Sequence, residues 1–309
     1  MGKIKSLKPG DSIGIFSPSS PATYSCPKRF ERAKNYLQDK GFKIVDGKLT
    51  GKHDFYRSGD IKERVEELNE LIRNPEIKCI MSTIGGMNSN SLLPYIDYEA
   101  FRKNPKIIIG YSDVTAILLA VYAQTGISTF YGPALVASFG ELPPFVDYTY
   151  KYFKEVLINS IKTPHYLEPP KYWTDEYISW ETQDRSKEKR DNQWLRVYGG
   201  VTRGRVIGGN LNTIQGIWGS KYMPEIKEGD VLFVEDSLKD ISTMERSFSL
   251  LAVNGVFGKI SGIILGKHEL FDDLGTGRRP HEVLLEVLGD RKLPFIADFD
   301  CCHTHPMLT

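Results

Sequence analysis

The chain has 309 residues, with 40 Lys+Arg against 39 Asp+Glu, for a formal net charge of +1. This balance excludes general polyanion binding, so no nucleic acid polymer is expected as a partner. With 40% hydrophobic and 26% charged residues, disordered and fibrous classes are also out, and there is room for one large or two medium domains. Apolar stretches such as Ile107–Ile109 and Ile117–Val121 stop well short of the roughly 18 residues of a membrane span, so no membrane partner is expected. Cys26, Cys79, Cys301 and Cys302 lack the paired spacing of a disulfide scaffold, and Lys3 and Lys5 lead into Pro9-Gly10-Asp11 rather than an apolar run. Both features predict a cytoplasmic protein.

Ile13–Ser17 reads as a strand ending in Pro18-Ser19-Ser20, Lys28–Lys40 as a helix closed by Gly41, and Phe42–Val45 as the next strand. Asp60–Arg73 places Ile61, Val65, Leu68 and Leu71/Ile72 at helical spacing. Ile77–Thr83 is strand-like and runs into Ile84-Gly85-Gly86-Met87-Asn88, and Ser91–Ile96 predicts the start of a helix. Lys106–Gly110 is a compact β-branched run, followed by Tyr111-Ser112-Asp113 and by the helix-like Val114–Ala123. This alternation predicts an α/β fold whose N-terminal domain, residues 1–165, is a Rossmann-like parallel sheet covered on both faces.

The composition changes after Pro164: eleven charged residues and Trp173, Trp180 and Trp194 lie between Lys171 and Trp194 with little periodicity. Residues 166–200 are therefore predicted as a linker and Trp-rich substrate loop. Strands follow at Arg203–Ile207, Val231–Val234, Ile260–Leu265 and Phe295–Ala297, separated by helices at Leu211–Trp218, Ser242–Asn254 and His281–Leu288. Residues 201–309 thus form a smaller C-terminal domain, either α/β or β-rich and barrel-like.

Chemistry concentrates at a few places. A strand, a tight turn through Ser112 and a helix would expose the Ser112 hydroxyl at the strand's carboxyl end. The Asp113 N–H and the positive helix end would then face any oxyanion. The pentad Gly110–Val114 lacks the final Gly of the G-x-S-x-G nucleophile elbow, and a helix-capping serine accounts for the same local pattern. Six histidines could serve as base, and His303 and His305 sit in the polar cluster Asp300–Pro306 just after a strand. Glu235 and Asp236 end an apolar strand, where a carboxylate needs a partner such as a His N–H; a solvated strand-end loop is the other reading. Gly85-Gly86 brings free N–H groups close to a ligand or makes a plain turn, and Gly208-Gly209-Asn210 reads as a glycine turn. Adjacent Cys301 and Cys302 do not match the spacing of a zinc site, so no metal is expected.

Six separated segments share one pattern: Leu7–Ile15 with Ser17–Pro21, Ile84–Asn90, Gly110–Thr115, Gly208–Asn212, Leu232–Asp236 and Cys302–Pro306. In these segments, taken in order, the chain resembles the LD-carboxypeptidase family of serine peptidases (peptidase family S66), and within it looks most like the microcin C self-immunity proteins. The resemblance implies a Ser112 nucleophile, a His303 base and a Glu235 that orients it. It also implies oxyanion donors at Gly86 and Asp113, and substrate contacts at Gly85, Trp180, Asn212 and Lys239. It implies a homodimer, no cofactor, and a cleft between the two domains. The implied reaction is hydrolysis of the amide-type bond joining an aminoacyl or peptidyl group to a nucleotide. A muramoyl-tetrapeptide LD-carboxypeptidase with the same triad and a catalytically silent nucleotide-peptide binder are the alternatives. The Trp-rich loop favours a nucleotide, because an aromatic face stacks on a base for roughly 1–3 kcal/mol. Family members continue past the His-Thr-x-Pro motif, so the C-terminal domain is expected to lack its last strands.

Overall fold

The computed structural model describes residues 4–158 and 165–309; the composition shift placed at Pro164 lies outside them. Strands β1 (Ser12–Phe16), β2 (Lys43–Val45), β3 (Ile77–Ser82), β4 (Ile107–Gly110) and β5 (Phe130–Tyr131) form a parallel sheet in the order β2-β1-β3-β4-β5. Helices connect the strands, as parallel pairing requires. The helix before β3, Ile61–Arg73, starts at a reciprocal capping box between Asp60 and Glu63. The first long helix, Pro27–Asp39, ends where Gly41 takes φ +91°. Chain direction across the sheet reverses between β1 and β3, so the loops leaving their carboxyl ends diverge and leave a crevice, the usual ligand position of doubly wound sheets.

The C-terminal half forms a second sheet. It contains β8 (Leu195–Tyr198), β9 (Val206–Asn210), β10 (Val231–Glu235), β11 (Gly262–Gly266) and β12 (Phe295–Phe299), in the order β8-β12-β11-β10-β9. Strands β9 to β12 run parallel and β8 pairs antiparallel at one edge. With the helices Ile241–Val253 and Pro280–Leu288 between its strands, this half takes the α/β form of the two expected. Between the halves, the excursion is tied at its base by a two-stranded ribbon, β6 (Tyr172–Trp173) with β7 (Arg190–Asp191), and by a bridge from Thr174 to His305.

The helix Thr115–Thr125 is apolar on every side from Ala116 to Val121, and those residues are buried all round. It lies in a single core with β4 on one side and with Ile207, Leu211, Ile214 and Leu232 of the C-terminal half on the other. The two sheets therefore share one hydrophobic core.

Several expectations change. Gly208 and Gly209 are strand residues rather than a turn. A Cβ on Gly208 would lie 1.6 Å from the Phe233 carbonyl oxygen, and one on Gly209 would lie 2.6 Å from the Thr115 side chain. The strand accordingly starts at Val206 instead of Arg203, and the helix after it is only Leu211–Gln215. The segment expected to begin a helix at Ser91 is a short 3-10 stretch, Ser89–Tyr95, that contains Pro94; proline lacks the N–H an α-helix would need there.

Candidate active site

Both sheets present their carboxyl ends to one cleft. β4 delivers Ser112, whose backbone sits at φ +61°, a left-handed conformation unusual for a residue with a side chain. Its hydroxyl does not cap the following helix: the residue before that helix is Val114, with no side-chain cap. The Ser112 Oγ lies 2.9 Å from His303 Nε2 instead. His303 follows β12, and its Nδ1 lies 3.0 Å from Glu235 Oε2 at the end of β10. An ionised Glu235 can only accept, so Nδ1 carries the proton and Nε2 is free to accept from the Ser112 hydroxyl.

Glu235 is fully buried, which costs several kcal/mol for an unpaired carboxylate. Its position supplies the partners. Asn210 is its register neighbour on β9 and donates to Oε1 at 2.9 Å. Tyr131 is the register neighbour of Gly110 on β5; its hydroxyl donates to Glu235 and accepts the Ser112 N–H at 3.1 Å. Burial raises the Glu235 carboxyl, but the His303 charge and hydrogen bond, with Tyr131 and Asn210, outweigh it and hold the group below its ordinary value. For His303, burial pushes down, while Glu235, helped by Glu269 and Asp236, pushes further up and holds the imidazole above 6.5. Of the two carboxylates left open by the sequence, Glu235 is the one that meets a histidine. Asp236 accepts the N–H groups of Ser237 (2.9 Å) and Asn212 (3.1 Å), and burial and the Glu235 charge push it up to about 6.

The loop after β3 closes over Ser112. A Cβ on Gly85 would come within 2.8 Å of Ser112 Cβ and 3.1 Å of the Asp113 nitrogen, so the missing side chain keeps that N–H uncovered. Gly86 takes φ +146°, and a Cβ there would lie 2.3 Å from Ser19 Oγ. The Gly85 carbonyl accepts the Ser20 N–H at 3.1 Å; in a planar trans peptide the Gly86 N–H then points the opposite way, away from Ser20. Asp113 pins the rest of the loop by accepting the N–H groups of Asn88 (3.0 Å) and Ser89 (2.9 Å).

Ser112 and His303 open into a cavity of about 280 Å³ whose wall includes Gly85, Gly86, Trp180, Asn212 and Lys239, together with Lys187 and Glu269. Asp113 sits behind this wall, buried. Lys239 Nζ lies 3.9 Å from Asp236, and Arg29 lies 4.7 Å from the Trp180 ring centroid. The other two excursion tryptophans contact the body: Trp194 stacks on Phe299 at 4.5 Å and donates to Asp300 at 2.7 Å, and Trp173 lies under Lys267. His305 is held down to about 3 by burial and stays neutral, with Nε2 3.4 Å from Glu141.

Residue patterns did not single out Tyr131, Asn210, Lys187 or Glu269. Tyr131 lies in a strand of only two residues, too short for apolar spacing to mark. Asn210 was within reach, since it stands in the Gly208–Asn212 segment, but its role depends on a neighbouring strand.

The LD-carboxypeptidase N-terminal domain matches residues 13–132, and the LD-carboxypeptidase C-terminal domain matches residues 203–309. The chain belongs to the LD-carboxypeptidase family of S66 peptidases. It is thus a serine carboxypeptidase-like hydrolase. A relative from Vibrio cholerae is 62% identical over 304 residues, 98% of this chain and 91% of that one. The microcin C7 self-immunity protein MccF of Escherichia coli is 58% identical over 305 residues, 98% of this chain and 89% of MccF. A solved structure of MccF in complex with aspartyl sulfamoyl adenosine superposes with a TM-score of 0.94 at 58% identity, covering 98% of this chain and 91% of that one. Among LD-carboxypeptidases, then, this chain is similar end to end to a microcin self-immunity protein.

Proposed function

We propose that this protein is a Ser-Glu-His amidase that hydrolyses the bond joining an aminoacyl or peptidyl group to a nucleotide, conferring immunity to microcin C or clearing aminoacyl-nucleotides. The observation that carries the reading is the continuous relay from Ser112 Oγ through both nitrogens of His303 to Glu235, at 2.9 and 3.0 Å. It opens on a cavity that also holds Trp180, Asn212 and Lys239. MccF, at 58% identity, has been solved with aspartyl sulfamoyl adenosine and with glutamyl sulfamoyl guanosine. Each of these ligands joins an aminoacyl group to a nucleoside, through a sulfamoyl group.

In the reaction, His303 Nε2 takes the Ser112 proton as Oγ attacks the carbonyl carbon, and the C=O electrons move onto oxygen. The N–H groups of Gly86 and Asp113 stabilise that oxyanion. His303 returns the proton to the leaving nitrogen as the C–N bond breaks, which frees the nucleotide and leaves an acyl-serine. Water, deprotonated by His303, then releases the acid. Glu235 holds the imidazole in the right tautomer and offsets its charge. Trp180 stacks on the base, while Asn212 and the Lys239 point charge hold the sugar-phosphate side.

Offering the purified protein an aminoacyl-adenosine amide and a muramoyl tetrapeptide side by side tests the substrate. Release of the free amino acid and of the adenosine part still carrying the leaving nitrogen is expected from the first, and cleavage of the tetrapeptide alone would replace this reading with the murein one. Binding without turnover of either would favour the silent binder. We further infer three parts, 1–165, 166–200 and 201–309, supported by the two family matches that flank the middle one. The resemblance to the family supports a homodimer, which sedimentation checks. Four free cysteines, three of them buried, support a cytoplasmic location, which cell fractionation checks.

A further inference from the structure

The Trp180 loop rests on buried charge. Arg29, on the Pro27–Asp39 helix, is fully buried; its guanidinium donates to the carbonyls of Val136 (2.9 Å) and Ala137 (2.8 Å), to Glu141 (3.0 Å) and to Gln183 Oε1 (2.6 Å). Gln183 in turn donates through its amide nitrogen to Glu141. Glu141, 2% exposed, also faces Lys187 Nζ at 3.5 Å and His305 Nε2 at 3.4 Å. One carboxylate thus gathers a cation from the body, an amide and an ammonium from the loop, and an imidazole from the loop that carries His303. Burial raises the Glu141 carboxyl, but His305, Arg29, Lys187 and the Leu142 N–H together outweigh it and bring the group to about 2, so it stays ionised.

The same guanidinium that binds Glu141 lies 4.7 Å from the Trp180 ring centroid, within cation–π range. Trp180 and Lys187 both line the substrate cavity. The outer turn is tied down as well: Glu181 accepts the Lys28 N–H at 3.0 Å, and Arg32 reaches Gln183 at 3.2 Å. A polar loop anchored only at its surface would sample many positions; this one is fixed through buried groups that are costly to separate, because parting them strands a charge.

We propose that Glu141 is a positioning residue for substrate recognition: by gathering Arg29, Gln183 and Lys187 it seats the 180–187 loop so that Trp180 presents its ring to the nucleotide base. This rests on the nucleotide reading above and adds the device that makes stacking possible. Glu141 touches no reacting atom, so its loss acts on binding more than on the chemical step.

The test uses Glu141→Gln, Gln183→Leu and Trp180→Ala in the full chain, with adenosine monophosphate binding by calorimetry and steady-state hydrolysis of an aminoacyl-adenosine amide. Glu141→Gln and Gln183→Leu are each expected to weaken nucleotide binding about tenfold or more and to raise KM in parallel, while kcat changes less than about threefold. Should Glu141→Gln fail to fold by circular dichroism, Gln183→Leu decides, since it removes an uncharged member. If Trp180→Ala weakens binding and the folded Glu141→Gln or Gln183→Leu proteins do not, the positioning role is overturned. A drop in kcat with KM unchanged also overturns it. If Trp180→Ala binds the nucleotide as tightly as the wild type, base stacking itself fails, and this proposal fails with it.

Discussion

Ser112 holds a left-handed backbone at φ +61°, a conformation that costs a non-glycine residue about 1–3 kcal/mol, and its neighbours repay the strain with hydrogen bonds. Replacing it, Ser112→Ala, is expected to cut turnover by about 10⁴-fold or more while leaving nucleotide binding intact; calorimetry beside steady-state assays separates the two. Tyr131 connects the Ser112 N–H to Glu235. Tyr131→Phe removes both contacts and should lower kcat about tenfold to a hundredfold, the worth of a hydrogen bond to a charged group; unchanged kcat would remove Tyr131 from the relay. The pH profile follows from His303, which must be neutral to take the serine proton. Its value is held above 6.5, so kcat/KM should fall as pH drops through a point above 6.5. In Glu235→Gln the charge that raises the imidazole most is gone, Glu269 and Asp236 remain, and burial still pushes it down. The residual activity's acid limb should therefore move to lower pH, and a limb that stays put would show that Glu235 does not set it.

At the scale of elements, apolar spacing marked the helices and strands well where side chains carry the pattern, as along Ile61–Arg73 and Ile107–Gly110. It failed at β9, because Gly208 and Gly209 have no side chain to report burial, and their reason for being glycine lies on β10 and on Thr115. Gly208→Ala, with φ +145° and a Cβ 1.6 Å from a backbone oxygen, is expected to destabilise the fold by about 3 kcal/mol or more. Gly199→Ala meets nothing within 4 Å and should change stability by less than about 0.5 kcal/mol. Urea midpoints of the two variants provide the comparison, and equal midpoints would contradict the packing account.

Across the whole molecule, the Thr115–Thr125 helix joins both sheets in one core, so the two halves are expected to unfold together. Circular dichroism and tryptophan fluorescence should give one coincident urea transition, and Leu118→Ala, which truncates a side chain only 3% exposed, should lower it by about 2–5 kcal/mol. Two separated transitions would show that the cores are independent. Reading residues alone predicted the β-α order and the turn that exposes Ser112, and six short segments carried a family resemblance that implies Ser112, Glu235 and His303. Those signals are local: they depend on spacing along one chain segment and on residue type. The tertiary structure decided what local spacing cannot encode. It laid Glu235 against His303, brought Tyr131 and Asn210 onto that carboxylate, and set the Trp180 loop on Arg29 and Glu141. In each case the partners lie on different strands or helices far apart in sequence, and only the pairing of β9 with β10, of β4 with β5, and the docking of the two sheets bring them within hydrogen-bonding distance.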